Sequence, residues 1–335
     1  MHRSAAQVLV SGPFAVGRME LSLGPAAIGR GSAVAPRVQL WYPAIQDSAH
    51  VAVPRFPVLL YFPGWPGSPA DNLILVRQLA SHGYVVAAAE YPVDPAERAS
   101  EPFLDFSSAQ RFQDSVRRND ERVRARAQDA VAILDRLAML GTVDGGACTR
   151  RLDAARAGIL GFSLGGAVAA EACRLDRRLA AAVNLNGLHF AGAAQRGVEQ
   201  PYLLISDESP LPTRAELEAA DSRLRYSSML KKTDYEQTIL NLQRHGGFFA
   251  VLAGARHVNF SDAALRSPFR WLTGAGPIDP LRAHEVIKAY VLAFFAKYLQ
   301  GEVSPLLGGN SQRYPEMHLR LWDRAAVQDA APASR

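Results

Sequence analysis

The run Gly158-Ile159-Leu160-Gly161-Phe162-Ser163-Leu164-Gly165-Gly166 places G-x-S-x-G between an apolar stretch and a stretch of small residues. That context predicts a sharp strand-to-helix turn that lifts the Ser163 hydroxyl clear of a sheet. Gly161 and Gly165 let neighbouring backbone pass close to the turn, and Ala167 and Ala169 let the following helix sit tightly on the sheet. The start of that helix offers unpaired amide N–H groups and a positive dipole end where an oxyanion would form. The chemistry in view is nucleophilic attack by a serine.

A serine hydroxyl attacks only when a base takes its proton. The base is expected late in the chain, just after a strand. Of eight histidines, His257 answers best, in Ala255-Arg256-His257-Val258-Asn259-Phe260-Ser261-Asp262, a short turn beyond the apolar run 248–253. His245 and His82 lie at the opposite end of their strands, His2, His50 and His318 in peripheral segments, and His284 on a closing helix. His189 follows a strand and is a candidate pocket residue. An oxyanion needs two N–H donors. Leu164, directly after the serine, supplies one. The loop Phe62-Pro63-Gly64-Trp65-Pro66-Gly67 supplies the other; its prolines have no N–H, so Trp65 is the candidate.

These side chains need a scaffold. Short apolar runs alternate with amphipathic ones, which predicts a mainly parallel sheet with helices on both faces. Strands are expected at 38–42, 57–62, 84–90, 158–162, 180–185, 202–206 and 248–253, and helices at 71–81, 119–140, 164–174 and 281–299. From Tyr91 to about Arg118 the periodicity vanishes while Phe103, Phe106 and Phe112 accumulate, as in a lid or binding excursion. Residues 301–335 read as a surface tail, and the chain as one domain.

Composition narrows the class. With 48% hydrophobic and 21% charged residues there is material for a packed core. The net charge of +5 is a mild excess. The densest basic run, Arg117, Arg118, Arg122, Arg124 and Arg126, is interleaved with Asp120, Glu121 and Asp129, which reads as a solvated helix face rather than a nucleic-acid footprint. Two cysteines, Cys148 and Cys173, make no disulfide framework. No run reaches the length of a membrane span and no signal-peptide pattern opens the chain, so a cytoplasmic protein is expected.

Four further stretches resemble a known family: Gly12-Pro13-Phe14-Ala15-Val16-Gly17; Leu40-Trp41-Tyr42-Pro43; Leu79-Ala80-Ser81-His82-Gly83-Tyr84-Val85-Val86-Ala87-Ala88; and His257-Val258-Asn259-Phe260-Ser261-Asp262. With the serine turn they make the chain similar to the bacterial predicted dienelactone hydrolases and the type II platelet-activating-factor acetylhydrolases. The resemblance implies an α/β-hydrolase fold, no metal or organic cofactor, and hydrolysis of small esters with a short or modified acyl group.

The sequence departs from that family at one position. The family's triad acid follows the strand after the serine helix, and the matching residue here is Asn186, in Val183-Asn184-Leu185-Asn186-Gly187. Asparagine lacks the charge that stabilises an imidazolium. The acid is therefore expected one strand along, at Glu208 or, as an alternative, Asp207. Other resolutions are Asn186 as a neutral orienter and deamidation of Asn186-Gly187 to aspartate. Leu188, His189, Phe190, Phe260 and Trp65 are expected around the serine, in an apolar site suited to a hydrophobic ester. The reading is a serine carboxylic-ester hydrolase. Its rivals are a ligand-binding protein on a hydrolase scaffold and a serine hydrolase of amide or carbon–carbon bonds.

Overall fold

In the computed structural model, described for residues 11–21, 23, 36–45, 54–91, 102–141, 149–267 and 269–323, nine strands form one sheet. They are β1 (Ala15–Leu21), β2 (Arg37–Ala44), β3 (Phe56–Phe62), β4 (Val85–Glu90), β5 (Leu152–Phe162), β6 (Leu179–Leu185), β7 (Tyr202–Asp207), β8 (Gly247–Leu252) and β9 (Met317–Trp322). Their order is β1-β2-β4-β3-β5-β6-β7-β8-β9. The six strands from β4 to β8 in that order are parallel. Antiparallel pairs close both edges.

The parallel strands are covered on both faces, so they read as unbroken apolar runs. Every residue of β3 is buried. Successive side chains alternate between two cores. Val58, Leu60 and Phe62 join the core beneath α2 (Ala109–Leu140) and α3 (Leu164–Leu175). Leu59 and Tyr61 join the core beneath α1 (Leu73–Ser81) and α6 (Pro280–Phe295). Two more helices, α4 (Ala191–Arg196) and α5 (Ser222–His245), follow β6 and β7.

Two expectations are corrected, and one helix is added. The helix expected from residue 119 begins at Ala109, capped by the Ser108 side chain on the Arg111 N–H. Its first turns are largely exposed and its apolar stripe starts only at Val123, so periodicity does not reveal them. The region after Gly301 is not all tail: β9 pairs with β8, burying Met317 and Leu319 while His318 and Arg320 stay exposed. The 24-residue α5 goes unforeseen, because it buries only Ser228, Thr238, Asn241 and Leu242 and so has no apolar stripe. Its caps are orthodox: Asp221 accepts from Leu224 N–H, and Gly246 ends it at φ 78°. Residues 92–101, the first part of the expected excursion, 324–335, the last part of the expected tail, and Cys148 lie outside the described residues. Cys173 is a buried thiol on α3.

Candidate active site

Because β5 to β8 run parallel, their C-terminal ends share one edge of the sheet, where open α/β sheets hold their ligands. Ser163 follows β5, Asn186 follows β6, Asp207 ends β7, and His257 stands five residues beyond β8. All four meet at one cleft of about 1000 Å³.

The serine turn is tight. Ser163 has φ 54° and ψ −120°, a strained conformation for a non-glycine residue. The strain is held by a Ser163 N–H to Leu185 O bond of 2.9 Å and a Gly166 N–H to Ser163 O bond of 2.9 Å. The flanking glycines are steric requirements. A Cβ on Gly165 would lie 1.9 Å from Phe62 O, and one on Gly161 would lie 2.1 Å from Gly165 C. The motif's spacing thus records how closely β3, β5 and α3 meet beneath the hydroxyl.

His257 Nε2 lies 3.1 Å from Ser163 Oγ. The imidazole stacks on Phe162, with centroids 4.9 Å apart. Its loop is fixed by Asn259 Oδ1, which accepts from Arg256 N–H at 2.9 Å and Gly276 N–H at 2.7 Å. One edge of the ring is open to the cleft, yet the surrounding protein is dense enough that burial lowers its pKa, with the Asp207 carboxylate opposing that shift. Burial therefore favours the neutral form of the ring.

On the far side of the ring, Asn186 Nδ2 lies 2.9 Å from His257 Nδ1. The group that meets this ring nitrogen is thus an amide and not a carboxylate. Asn186 also has a positive φ, 54°, and its N–H donates to Ile205 O at 2.8 Å. Its Oδ1 accepts from Asp207 N–H at 3.1 Å and Ser206 Oγ at 3.3 Å. Deamidation would require the Gly187 nitrogen to attack the Asn186 side chain. That N–H instead donates to Asn184 Oδ1 at 2.8 Å.

Glu208, the expected acid, does not reach the histidine. It lines the cleft, but its Oε2 accepts from Gly254 N–H at 2.7 Å and its own N–H donates to Ala255 O at 3.3 Å. Both bonds tie the loop after β7 to the loop after β8, which faces the carboxylate away from the ring.

Of the expected pocket residues, Leu188 and Phe190 line the cleft, joined by Phe103 and Phe106 from the excursion. Phe103 meets Phe190 edge-on at 6.0 Å. His189 turns away. Its Nδ1 lies 3.1 Å from Asp234 Oδ1, its Nε2 lies 2.7 Å from Tyr202 Oη, and its backbone N–H also donates to Asp234 at 2.7 Å. It is a satisfied structural histidine. Phe260 is 1% exposed in the opposite core and borders a separate cavity of about 390 Å³ beside α1 and α6. It packs in the core on the sheet face opposite the one Leu188 packs against.

Leu164 opens α3, where its N–H has no helical acceptor. The Gly64–Trp65 loop passes so close that a Cβ on Gly64 would sit 3.1 Å from Ser163 Cβ. The Trp65 indole points elsewhere, beneath the Arg122 guanidinium at 4.1 Å. Sequence reasoning did not find the α5 wall of the cleft, which includes Leu230, Lys231 and Tyr235, nor Arg320 from β9. The one signal for α5 was its cap pair, Asp221 and Gly246.

A mostly parallel sheet sandwiched by helices, with a serine turn and a histidine meeting at its C-terminal edge, defines the α/β-hydrolase class. The chain belongs to the family described as platelet-activating factor acetylhydrolase, isoform II, whose model matches residues 33–305. A relative from Arthroderma benhamiae, a probable 1-alkyl-2-acetylglycerophosphocholine esterase, is 26% identical over 292 residues, covering 81% of this chain and 68% of the relative. The solved structure of a ferulic acid esterase from Streptomyces cinnamoneus matches with a TM-score of 0.64 and 25% identity, covering 94% of this chain and 98% of that one. The chain is a serine carboxylic-ester hydrolase. No helix among the described residues is long and apolar enough to cross a membrane.

Proposed function

We propose that Ser163 is the nucleophile and His257 the general base of an acyl-enzyme esterase acting on hydrophobic or short-acyl esters. The observation that carries this reading is the 3.1 Å contact between His257 Nε2 and Ser163 Oγ at the mouth of an apolar cleft. Ser163 Oγ attacks the ester carbonyl as its proton passes to His257 Nε2. The N–H groups of Leu164 and Trp65 receive the carbonyl oxygen as it becomes an oxyanion. The intermediate collapses, and the alcohol leaves with the proton from His257. Water then attacks the acyl-enzyme, losing its proton to His257, which returns it to Ser163 as the acid departs.

The family and the relatives' printed substrates support an ester with one apolar arm. Phe103 and Phe106 line the cleft ahead of α2 and support reading residues 102–108 as part of a cover over a single-domain hydrolase. A series of p-nitrophenyl esters tests the substrate class. Burying one methylene contributes about 0.8 kcal/mol, or up to about fourfold in binding. From acetate to butyrate, kcat/KM is expected to rise by up to about that factor per methylene. A steady fall from acetate onward would contradict an apolar acyl site.

One observation favours a second reading. An amide in the acid position suits a ligand-binding protein that has lost turnover. Saturable binding of these esters with no hydrolysis of any of them would select it.

A further inference from the structure

The resting tautomer of the histidine follows from what Asn186 bonds on its other side. An amide has one accepting oxygen and one donating NH2 group, and its orientation is set by its neighbours. Asn186 Oδ1 faces two groups, Asp207 N–H at 3.1 Å and Ser206 Oγ at 3.3 Å. A backbone N–H can only donate. Turning the amide over would set NH2 against N–H and leave Asp207 N–H without an acceptor, which a partly buried donor resists. The NH2 group is therefore the part that faces His257 Nδ1, at 2.9 Å. An NH2 group cannot accept, so Nδ1 must be the bare, accepting nitrogen of the ring. A neutral imidazole carries one proton, and that proton is then on Nε2, aimed at Ser163 Oγ 3.1 Å away.

We propose that Ser206, Asp207 N–H and Asn186 form a latch that holds His257 in the Nε2–H tautomer, so that the resting histidine donates to Ser163 instead of accepting its proton. This deepens, and rests on, the reading of Ser163 and His257 as nucleophile and base. Turnover passes through the minor tautomer, with the proton on Nδ1 and the Nε2 lone pair facing the serine. Asparagine serves the histidine in some cysteine proteases, but there the ring must be met by an acceptor; here the amide oxygen is occupied on the side of β7. Asn186 and Ser206 are positioning residues. Their bonds run to each other, to Asp207 N–H and to His257 Nδ1, and they act by setting where the imidazole proton sits.

The test begins with the unmodified protein. Ring nitrogens of ¹⁵N-histidine-labelled protein are observed by NMR near neutral pH, with His257→Gln used to assign the His257 signals. The expected result is a protonated Nε2 and a bare Nδ1. A protonated Nδ1 with a bare Nε2 overturns the proposal. Asn186→Asp supplies an acceptor and a charge, and should move the proton to Nδ1 and raise kcat on p-nitrophenyl butyrate by about 10²-fold or more, toward the roughly 10⁴-fold that separates Asp from Asn in a serine-protease triad. Asn186→Ala removes the facing NH2 group without adding charge. It should weaken the hold on the Nε2–H tautomer and raise kcat a few-fold, and an unchanged or lower kcat would mean that Asn186 does not hold back the base and no latch exists. The tautomer is read without turnover, so it stands apart from the nucleophile assignment. Full activity in Ser163→Ala would sink that assignment while leaving the tautomer result intact.

Discussion

Ser163→Ala should lose turnover of p-nitrophenyl butyrate, and the size of the loss is diagnostic. In a complete triad, removing the serine costs about 2 × 10⁶ in kcat. An asparagine in place of the acid already costs about 10⁴. The wild-type protein, with Asn186 against His257, should therefore stand only about 10²-fold above its own Ser163→Ala variant. The measurement is kcat on matched, folded samples. The Ser163 side chain makes no cap bond on α3, so the variant should melt within a few degrees of wild type. A loss within twofold would remove Ser163 from the chemistry. A loss near 10⁶ would mean that a full-strength base operates despite the amide.

Gly165→Ala should be the most damaging single methyl in the chain's centre. Its Cβ would fall 1.9 Å from Phe62 O and 2.8 Å from Pro63 O. Both are backbone atoms, and β3 lies in the middle of the sheet, so neither can step aside. Overpacking of a rigid core costs about 1–3 kcal/mol, more where nothing can move. A cost of about 3–5 kcal/mol is expected, seen by calorimetry as a fall in Tm of roughly 2 °C per kcal/mol for a chain larger than 150–250 residues. Gly141→Ala is the control. There the Cβ would meet its nearest atom at 3.5 Å and the backbone is right-handed, φ −66°, so little change is expected. Equal melting of the two variants would refute the close approach of α3 to β3.

The contrast between these glycines shows why the site was legible where it was. G-x-S-x-G is a steric record: the side chains it forbids are those that would strike β3 and α3. The parallel strands were legible because burial on both faces leaves an unbroken apolar run, as at Phe56–Phe62. His257 followed from topology alone, because only it combined a late position with the correct end of a strand.

What stayed hidden depends on contacts that one-dimensional patterns do not carry. The helix Ser222–His245 walls the cleft with a half-exposed face that mixes Leu230 and Tyr235 with Lys231 and Asp234, so it has no apolar period to read. The edge strand Met317–Trp322 buries alternate residues only because β8 is beside it. The preference for Glu208 failed because reach is not direction: the carboxylate is long enough, but Gly254 N–H holds it. His189 sits beside Leu188 in sequence and turns to Asp234 and Tyr202, a choice made by α5, which the sequence did not disclose. The Asn186 substitution was visible from the start. Its meaning was not, because the amide's orientation is set by the backbone of Asp207.

The most direct test of Ser163 as nucleophile is labelling with a fluorophosphonate, followed by peptide mapping by mass spectrometry. Wild type and Asn186→Asp are incubated with the reagent and sampled over time. Phosphonylation is expected on Ser163 in both proteins, slowly in wild type and faster in Asn186→Asp, with ester hydrolysis falling in step. An unlabelled Ser163 in both proteins, or label elsewhere with hydrolysis intact, would contradict the account.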